Sequence, residues 1–188
     1  MIDQLLFYLE IGYSHILDLN AYDHFLFLIS ITIPFTLKYF QKLFWIVTLF
    51  TIGHTLSIVL STFGFIKPNI SMIEFLIPVT IIFSALSNIF FLNIDKKIDI
   101  KILLISLFFG LIHGFGFANY FNQITFDDTF DFIALLGFSL GVELAQILIV
   151  ISILVINSIL EFFINKKYGY YIKISSIIVC ILTFLLFV

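Results

Sequence analysis

Residues 132–157 read FIALLGFSLGVELAQILIVISILVIN, an apolar run in which Glu143 is the only charged side chain. A helix that crosses the hydrocarbon core of a membrane needs roughly 20 apolar residues, at a rise of about 1.5 Å per residue. The run is therefore long enough to form a membrane span. A carboxyl group in hydrocarbon is energetically costly and rare, so Glu143 also marks a candidate functional site.

The composition of the whole chain fits the same class of protein. The chain has 188 residues, of which 62% are hydrophobic and 11% charged, and its mean hydropathy is +1.20. A soluble domain carries charge on about 25% of its residues. We therefore predict an all-α, polytopic membrane bundle that forms a single domain over residues 1–188. Its six transmembrane helices are expected at about 22–38, 43–64, 71–93, 101–121, 132–157 and 170–188.

The N-terminal segment, residues 1–19, does not qualify as a span, because three carboxylates interrupt it: Asp3, Glu10 and Asp18. Apolar residues still recur at helical spacing between these carboxylates. This pattern predicts an amphipathic helix that lies at the membrane interface.

The lysines predict the orientation of the bundle. Eight of the nine flank the first, third and fifth loops between spans, and Lys67 alone lies on the other side. The positive-inside rule then places those three loops in the cytoplasm and both termini outside, in a multi-pass protein of the cell membrane (plasma or inner). The acidic residues Asp127, Asp128 and Asp131 would face outward and attract cations.

The chain has four histidines, and all of them lie in or next to predicted spans. Asp23 and His24 open the first span at the outer surface, and His15 precedes them. His54, His113 and Glu143 fall near the middle of their own spans. Together these six residues are the candidate metal ligands, and they form a series that runs from the outer surface to the bilayer centre.

Other polar residues share helix faces with these candidates, because residues three or four apart lie on one side of a helix. Four of them are predicted to orient the ligands, namely Glu74, Asn88, Ser139 and Gln146. A single membrane histidine is equally well explained by a hydrogen bond to a neighbouring helix, and Glu143 by a bond to Gln146 or a serine. Three ionisable groups near the middle of three spans are harder to explain by packing alone.

Imidazole and carboxylate ligands suit divalent transition metals such as Ni²⁺, Co²⁺ and Zn²⁺, and the absence of clustered Cys and Met argues against Cu(I). Cys180 is the only cysteine, so a thiolate cage is excluded. The ligand form of histidine is the neutral imidazole, which predicts weaker binding in acid.

Five segments in this order resemble the HupE/UreJ family. They are His15…Asp23-His24-Phe-Leu-Phe-Leu, Thr51-Ile-Gly-His54-Thr-Leu-Ser, Glu74…Asn88, Phe109-Gly-Leu-Ile-His113-Gly-Phe-Gly-Phe-Ala and Phe138-Ser-Leu-Gly-Val-Glu143-Leu-Ala-Gln146. The resemblance covers residues 12–150 and implies a nickel or cobalt permease with six spans and metal-binding His, Asp and Glu residues. One departure concerns His15, since seven residues separate it from Asp23 where the family usually has five.

We therefore predict a secondary transporter that moves a divalent transition metal, nickel or cobalt first, through a His/Asp/Glu site open to the outside. The alternative is an intramembrane zinc-dependent hydrolase in which the same residues hold a catalytic metal and Glu143 acts as a general base. A third alternative is a metal-sensing or partner-binding membrane subunit. The expected partners are membrane lipids and the metal ion (Ni, Co or Zn), and no nucleic acid.

Overall fold

The computed structural model describes residues 1–18, 22–90, 99–125 and 131–187, except the side chain of Lys166. Every regular element in these ranges is helical, which confirms the predicted all-α class. The predicted loop residues Lys96, Lys97, Asp127 and Asp128 lie outside the described residues. The seven α-helices in the described ranges are α1 (Ile2–Leu17), α2 (Asp23–Thr32), α3 (Phe40–Thr62), α4 (Ile70–Phe90), α5 (Ile100–Ile124), α6 (Phe132–Ile164) and α7 (Tyr168–Phe184).

Five helical segments of the described chain are long and apolar enough to cross a membrane. They correspond to the predicted second to sixth spans and are Leu37–Thr62, Ile70–Phe90, Ile100–Ile124, Phe132–Ile164 and Tyr168–Phe187. The predicted first span, residues 22–38, is not one continuous helix. Its α-helical part, α2, has only 10 residues, which reach about 15 Å, or half of the hydrocarbon core.

Helix α1 packs lengthwise against the first half of α6, which does not confirm the interfacial position predicted for residues 1–19. A Cβ added to Gly12 would collide with the carbonyl of Phe138, and one added to Gly141 would collide with the carbonyl of Leu9. Small residues of this kind let two helix backbones approach closely in a membrane. The two helices run in the same direction, since Leu5 lies beside Gly137 and Leu9 beside Gly141.

Helix α2 ends inside the protein, next to Pro34. Pro34 has no backbone N–H to donate to the Ser30 carbonyl, which accepts a hydrogen bond from Asn88 at 2.7 Å instead. The buried side chain of Asn157 on α6 then donates to the carbonyls of Thr32, Ile33 and Phe35, at 3.1, 3.1 and 2.8 Å. One amide thus provides partners for the backbone groups that the end of a helix leaves open.

Contacts along the helices give their relative directions. Helices α1, α2, α4 and α6 run one way, and α3, α5 and α7 run the other way. For example, the Leu37 amide at one end of the α3 segment binds Ser158, whereas Thr55 further along binds Ser139. We call the end where α3, α5 and α7 begin the lysine-rich end, since it carries the described side chains of Lys38, Lys42, Lys101, Lys167 and Lys173.

The closest contact between two long helices joins α3 and α5. A Cβ on Gly53 would collide with the Leu107 carbonyl, and one on Gly110 would collide with the Phe50 carbonyl. The Ser106 hydroxyl adds a hydrogen bond to the Ile46 carbonyl at 2.6 Å. This packing places the middles of α3 and α5, and therefore His54 and His113, next to each other.

The α3–α5 contact predicts a strong effect of a single added methyl group. Gly110→Ala should lower the free energy of unfolding by about 1–3 kcal/mol, because the new Cβ overpacks against backbone atoms that cannot move aside. Gly169→Ala is the matched control, since no atom lies within 4 Å of a Cβ added there. Thermal unfolding in detergent measures both variants, and equal melting temperatures would contradict the packing described.

The end of α2 predicts a second stability effect. Asn157→Leu should destabilise the protein by about 1–3 kcal/mol, since the Phe35 carbonyl would lose its hydrogen bond to the Asn157 amide. Asn122→Leu removes an amide whose hydrogen bond with Thr62 is exposed, so its effect should be small. The measurement is again thermal unfolding in detergent, and a larger loss for Asn122→Leu than for Asn157→Leu would refute this role.

Candidate metal centre

Four helices bring five ionisable residues together in the interior of the bundle. His15 comes from the last turn of α1, and Asp23 and His24 come from the first turn of α2. His54 and His113 come from the middles of α3 and α5. His24, His54 and His113 are almost completely buried, with 4%, 1% and 1% of their surface exposed. These five residues are hereafter called the histidine cluster.

The histidine cluster contains two overlapping groups that could each hold a metal ion. In one group, a ligand atom from each of His15, His24 and His54 lies within 4.8 Å of the others. In the second group, Asp23, His24 and His113 meet the same distance. His24 belongs to both groups, and its ring centroid lies 4.7, 6.0 and 5.4 Å from those of His15, His54 and His113.

Each of the four histidines has one buried ring nitrogen without a hydrogen-bond partner among the described residues. These atoms are Nε2 of His15, His24 and His54, and Nδ1 of His113. Buried polar atoms are nearly always hydrogen-bonded, because leaving one unpaired costs free energy. Four unpaired imidazole nitrogens in one buried cluster fit a bound cation, which would accept a lone pair from each ligand.

Hydrogen bonds fix which nitrogen of His113 carries the lone pair. The hydroxyl of Thr80 on α4 donates its only proton to the Ile77 carbonyl at 2.8 Å. Its oxygen lies 3.0 Å from Nε2 of His113, and in this arrangement it accepts a hydrogen bond from that nitrogen. The lone pair of His113 is then on Nδ1, the atom that lacks a partner. A hydrogen bond that sets the tautomer in this way is typical of metal-binding histidines.

Asp23 holds His24 in the same manner. Its carboxylate oxygen lies 3.2 Å from Nδ1 of His24, and an ionised carboxylate only accepts hydrogen bonds. Nδ1 therefore carries the proton, and the lone pair is on the unpartnered Nε2. Asp23 can therefore have two roles. It orients the His24 ring, and its remaining lone pairs can bind a metal directly.

Glycine packing places His54 in the cluster. Gly114 on α5 lies against the backbone of His54 and the hydroxyl of Ser57, so α3 cannot shift along α5. The rings of His15 and His54 lie against Phe138, with centroid distances of 5.8 and 6.0 Å. Phe117 packs on His15 at 4.0 Å. These aromatic rings exclude other polar partners from the histidines.

Glu143 lies outside both groups, although the sequence predicts it as a ligand beside His54 and His113. It is half-buried between α3 and α6, where its carboxylate accepts hydrogen bonds from Thr48 at 2.6 Å and from Thr51. The Thr51 hydroxyl also lies 2.9 Å from Oε1 of the buried Gln146. The side chain thus faces hydroxyls of α3 that lie one to two turns from His54 toward the lysine-rich end.

The other residues that the sequence predicts to orient the ligands make their contacts elsewhere in the bundle. Ser139 binds Thr55 at 2.8 Å in the same contact between α3 and α6. Asn88 donates to the Ser30 carbonyl at 2.7 Å and to Ser176 at 3.3 Å, and so joins α4 to α2 and α7. Glu74 is exposed just after the first turn of α4 and is in neither group of potential ligands found among the described residues.

A cleft leads to the histidine cluster from the end opposite the lysines. It has a volume of about 850 Å³ and lies between α1 and α5, with His15 and Phe117 at its inner wall. The exposed carboxylates of Glu10 and Asp18 line it. We call it the acidic cleft. Carboxylates along such a cleft raise the local concentration of cations.

Sequence reasoning missed Thr80 as the partner of His113 and the phenylalanines that surround the cluster. Thr80 occurs on a polar helix face together with Ser84, Ser87 and Asn88, which was the available signal. Phe27, Phe50, Phe117 and Phe138 are four of the 26 phenylalanines in the chain, and nothing in their spacing distinguishes them from residues that face lipid.

The chain belongs to the HupE/UreJ family, because the family model described as HupE / UreJ protein matches residues 1–188. This confirms the resemblance that the motifs between residues 12 and 150 indicated, and it extends the resemblance to the whole sequence. No curated protein and no solved structure matches the chain. The family and the five long apolar helices together identify a membrane protein with a metal transporter-like role.

The hydrogen bond of Thr80 predicts a loss of metal affinity without a change of ligand. Thr80→Val keeps the shape of the side chain but leaves His113 free to rotate and change tautomer, so nickel should bind about 10- to 100-fold more weakly. Thr80→Ser retains the hydroxyl and should bind nearly as the unmodified protein does. Isothermal titration of the purified protein measures both affinities, and an unchanged affinity of Thr80→Val would exclude this role.

Proposed function

We propose that the protein is a secondary transporter that carries a divalent transition metal ion, nickel or cobalt, through the membrane by way of the histidine cluster. The observation that supports this most strongly is the convergence of four imidazoles on one another around His24, each with a buried nitrogen that has no partner among the described residues. A site of imidazoles and one carboxylate suits release of a cation as well as its capture. It contains no thiolate, the ligand that would bind a soft metal most tightly.

The donor types favour nickel and cobalt over harder ions. Imidazole nitrogens bind Co²⁺, Ni²⁺, Cu²⁺ and Zn²⁺, whereas Mg²⁺ and Ca²⁺ prefer cages of oxygen. The cluster offers four imidazoles and a single carboxylate, Asp23. Membership of the HupE/UreJ family narrows the proposal to nickel and cobalt, with zinc as the competitor that a selectivity assay must include.

The two overlapping groups suggest a path for the ion. The group of His15, His24 and His54 adjoins the acidic cleft through His15, and the group of Asp23, His24 and His113 lies against Phe27 and Phe50. Because His24 belongs to both, the ion can exchange one ligand at a time. A stepwise exchange avoids the large cost of a bare cation in a low-dielectric interior.

We further propose that α1 and α2 together make the first of six crossings, interrupted at the level of the cluster. Both helices run parallel to α6, from the contact of Leu5 with Gly137 to the contact of Phe35 with Asn157. Broken helices near the bilayer centre are a recurrent way for transporters to form ion sites. The positive-inside rule makes the lysine-rich end face the cytoplasm. The acidic cleft then opens on the outer side of the cell membrane, and both termini lie outside.

Metal accumulation in proteoliposomes tests the transport function. Vesicles that contain the purified protein should accumulate external Ni²⁺ or Co²⁺ over time, and Asp23→Asn should reduce the initial rate at least about 10-fold, because both a ligand and the partner of His24 are altered. Glu161→Gln is the matched control. It also converts a carboxylate to an amide, in an exposed ion pair with Lys38 at 2.9 Å, and should leave uptake unchanged.

Two results would contradict the proposal. The first is an unmodified protein that binds the metal but produces no accumulation above that of empty vesicles. The second is a purified protein that retains one zinc ion during dialysis and hydrolyses a peptide or lipid, which would support the hydrolase alternative. Elemental analysis of the purified protein distinguishes these outcomes.

A further inference from the structure

A second cavity lies in the half of the bundle near the lysine-rich end. It has a volume of about 330 Å³ and is bounded by α2, α3, α4 and α5. Its walls are mainly apolar, with a few polar side chains, namely Lys42, Ser84, Ser87, Asn88 and Ser106. We call it the inner cavity. None of the candidate metal ligands lines it, so it is separate from the histidine cluster.

Phe27 lies between the histidine cluster and the inner cavity. On one side its ring packs against the ring of His113, with 5.2 Å between centroids, and stacks on Phe50 at 4.7 Å. On the other side it lines the inner cavity together with Phe109. Only 1% of its surface is exposed. The ring therefore belongs to the wall of both compartments.

The barrier at Phe27 is thin. On α4, Thr80 contacts His113 on the cluster side, and Ser84 lines the inner cavity. These two residues are one helical turn apart, a distance of about 6 Å along the helix axis. A rotation of one aromatic side chain, or a small shift of the helix that carries it, would therefore join the two compartments.

We propose that Phe27 is the gate that separates the bound metal ion from the inner cavity, and that this cavity is the exit vestibule for the hydrated ion. This inference rests on the proposed transport function. The hydroxyl of Ser106 donates to the Ile46 carbonyl and that of Ser87 donates to the Ser84 carbonyl, so both oxygens keep lone pairs that can accept hydrogen bonds from the water around a cation.

The charge in the vestibule favours release of the ion over retention. Lys42 lines the inner cavity with 5% of its surface exposed, and its ammonium lies 5.3 Å from the centre of the Phe35 ring. A positive charge at this place disfavours a second resting position for a divalent cation. An ion that passes Phe27 is then expected to continue into solution at the lysine-rich end.

The position of Phe27 on α2 links the gate to the cargo. Asp23, His24 and Phe27 lie within the first two turns of one helix of 10 residues, so they move together when the helix moves. Loss of the metal from Asp23 and His24, or its transfer to His113, would therefore change the forces on the same short element that carries the gate.

Thiol labelling from each side of the membrane tests the gate without using transport. The starting protein is Cys180→Ser, which removes the only cysteine. Thr80→Cys and Ser84→Cys are introduced separately as reporters, and sealed vesicles of each orientation are treated with a small, membrane-impermeant thiosulfonate reagent. Each reporter is made with Phe27 present and with Phe27→Ala, and the measurement is the labelled fraction of the protein by mass.

The expected pattern has three parts. From the lysine-rich side, the Ser84→Cys reporter is labelled whether or not Phe27 is present, and the Thr80→Cys reporter is labelled at least about 10-fold faster after Phe27→Ala. Phe35→Ala is the matched control, because Phe35 lines the same cavity but its ring packs against Tyr39 and Lys42, away from Thr80 and the histidine cluster. It should leave labelling of the Thr80→Cys reporter slow.

The proposal is overturned if the Thr80→Cys reporter reacts equally fast with and without Phe27, or if the Ser84→Cys reporter is not reached from the lysine-rich side. Phe27→Leu replaces Phe27→Ala if the smaller side chain prevents folding, which gel filtration shows. Nickel uptake is recorded separately, in vesicles of the Cys180→Ser protein in which Thr80, Ser84 and Phe27 are unchanged. Absent uptake with the expected labelling pattern would refute the transport function and keep the barrier, whereas normal uptake with uniform labelling would refute the gate alone.

Discussion

A helix that ends in the interior of a membrane protein leaves carbonyl groups that neither water nor lipid can satisfy, and the structure depends on how α2 resolves this constraint. Asn157 donates to three carbonyls that follow the helix, and the hydroxyl of Tyr171 donates in turn to Oδ1 of Asn157 at 2.8 Å. In hydrocarbon each unpaired group would cost several kcal/mol. The hydrogen bonds of Asn157 therefore lower the free-energy cost of ending α2 inside the protein.

A different interruption, the one between α1 and α2 at the other end of α2, makes the histidine cluster. A continuous helix through residues 2–33 would carry His15 and His24 nine residues apart, about 13 Å along its axis. The break between α1 and α2 instead lets the end of one helix and the start of the next approach the same point, and the two rings lie 4.7 Å apart. His54 and His113 reach that point from α3 and α5 because glycines bring those two helices into backbone contact.

The sequence predicts those parts of the structure that follow from solvation. Long apolar runs had to become helices, and the spans beginning near residues 43, 71, 101, 132 and 170 are found as helices. The end of α1 at Leu17 and the start of α2 at Asp23 were not predictable in the same way, because Asp18 and Asp23 look like the ends of a surface segment. The parallel packing of α1 on α6 shows that α1 is instead part of the bundle.

The sequence indicates the residue types of the candidate site but not the directions of the side chains. Histidines in apolar helices had to face each other, and the four do converge. The altered spacing before Asp23 concerned His15, yet its ring lies within the cluster, 4.7 Å from that of His24. Glu143 was expected beside His54 because both are near the middle of a span. Depth alone does not give the direction of a side chain, and Glu143 points to Thr48 and Thr51 instead.

The same constraint at the end of α2 bears on how the protein can move. Its C-terminal end is held by Asn157 and by Tyr168, whose hydroxyl lies 3.4 Å from the Ile33 carbonyl. Its N-terminal end carries Asp23 and His24, whose strongest partner would be the cargo. A short helix that is fixed at one end moves most at the other. The backbone hydrogen bonds of the interior can therefore stay intact while the ligands and Phe27 shift, which allows opening without exposing unpaired carbonyls to lipid.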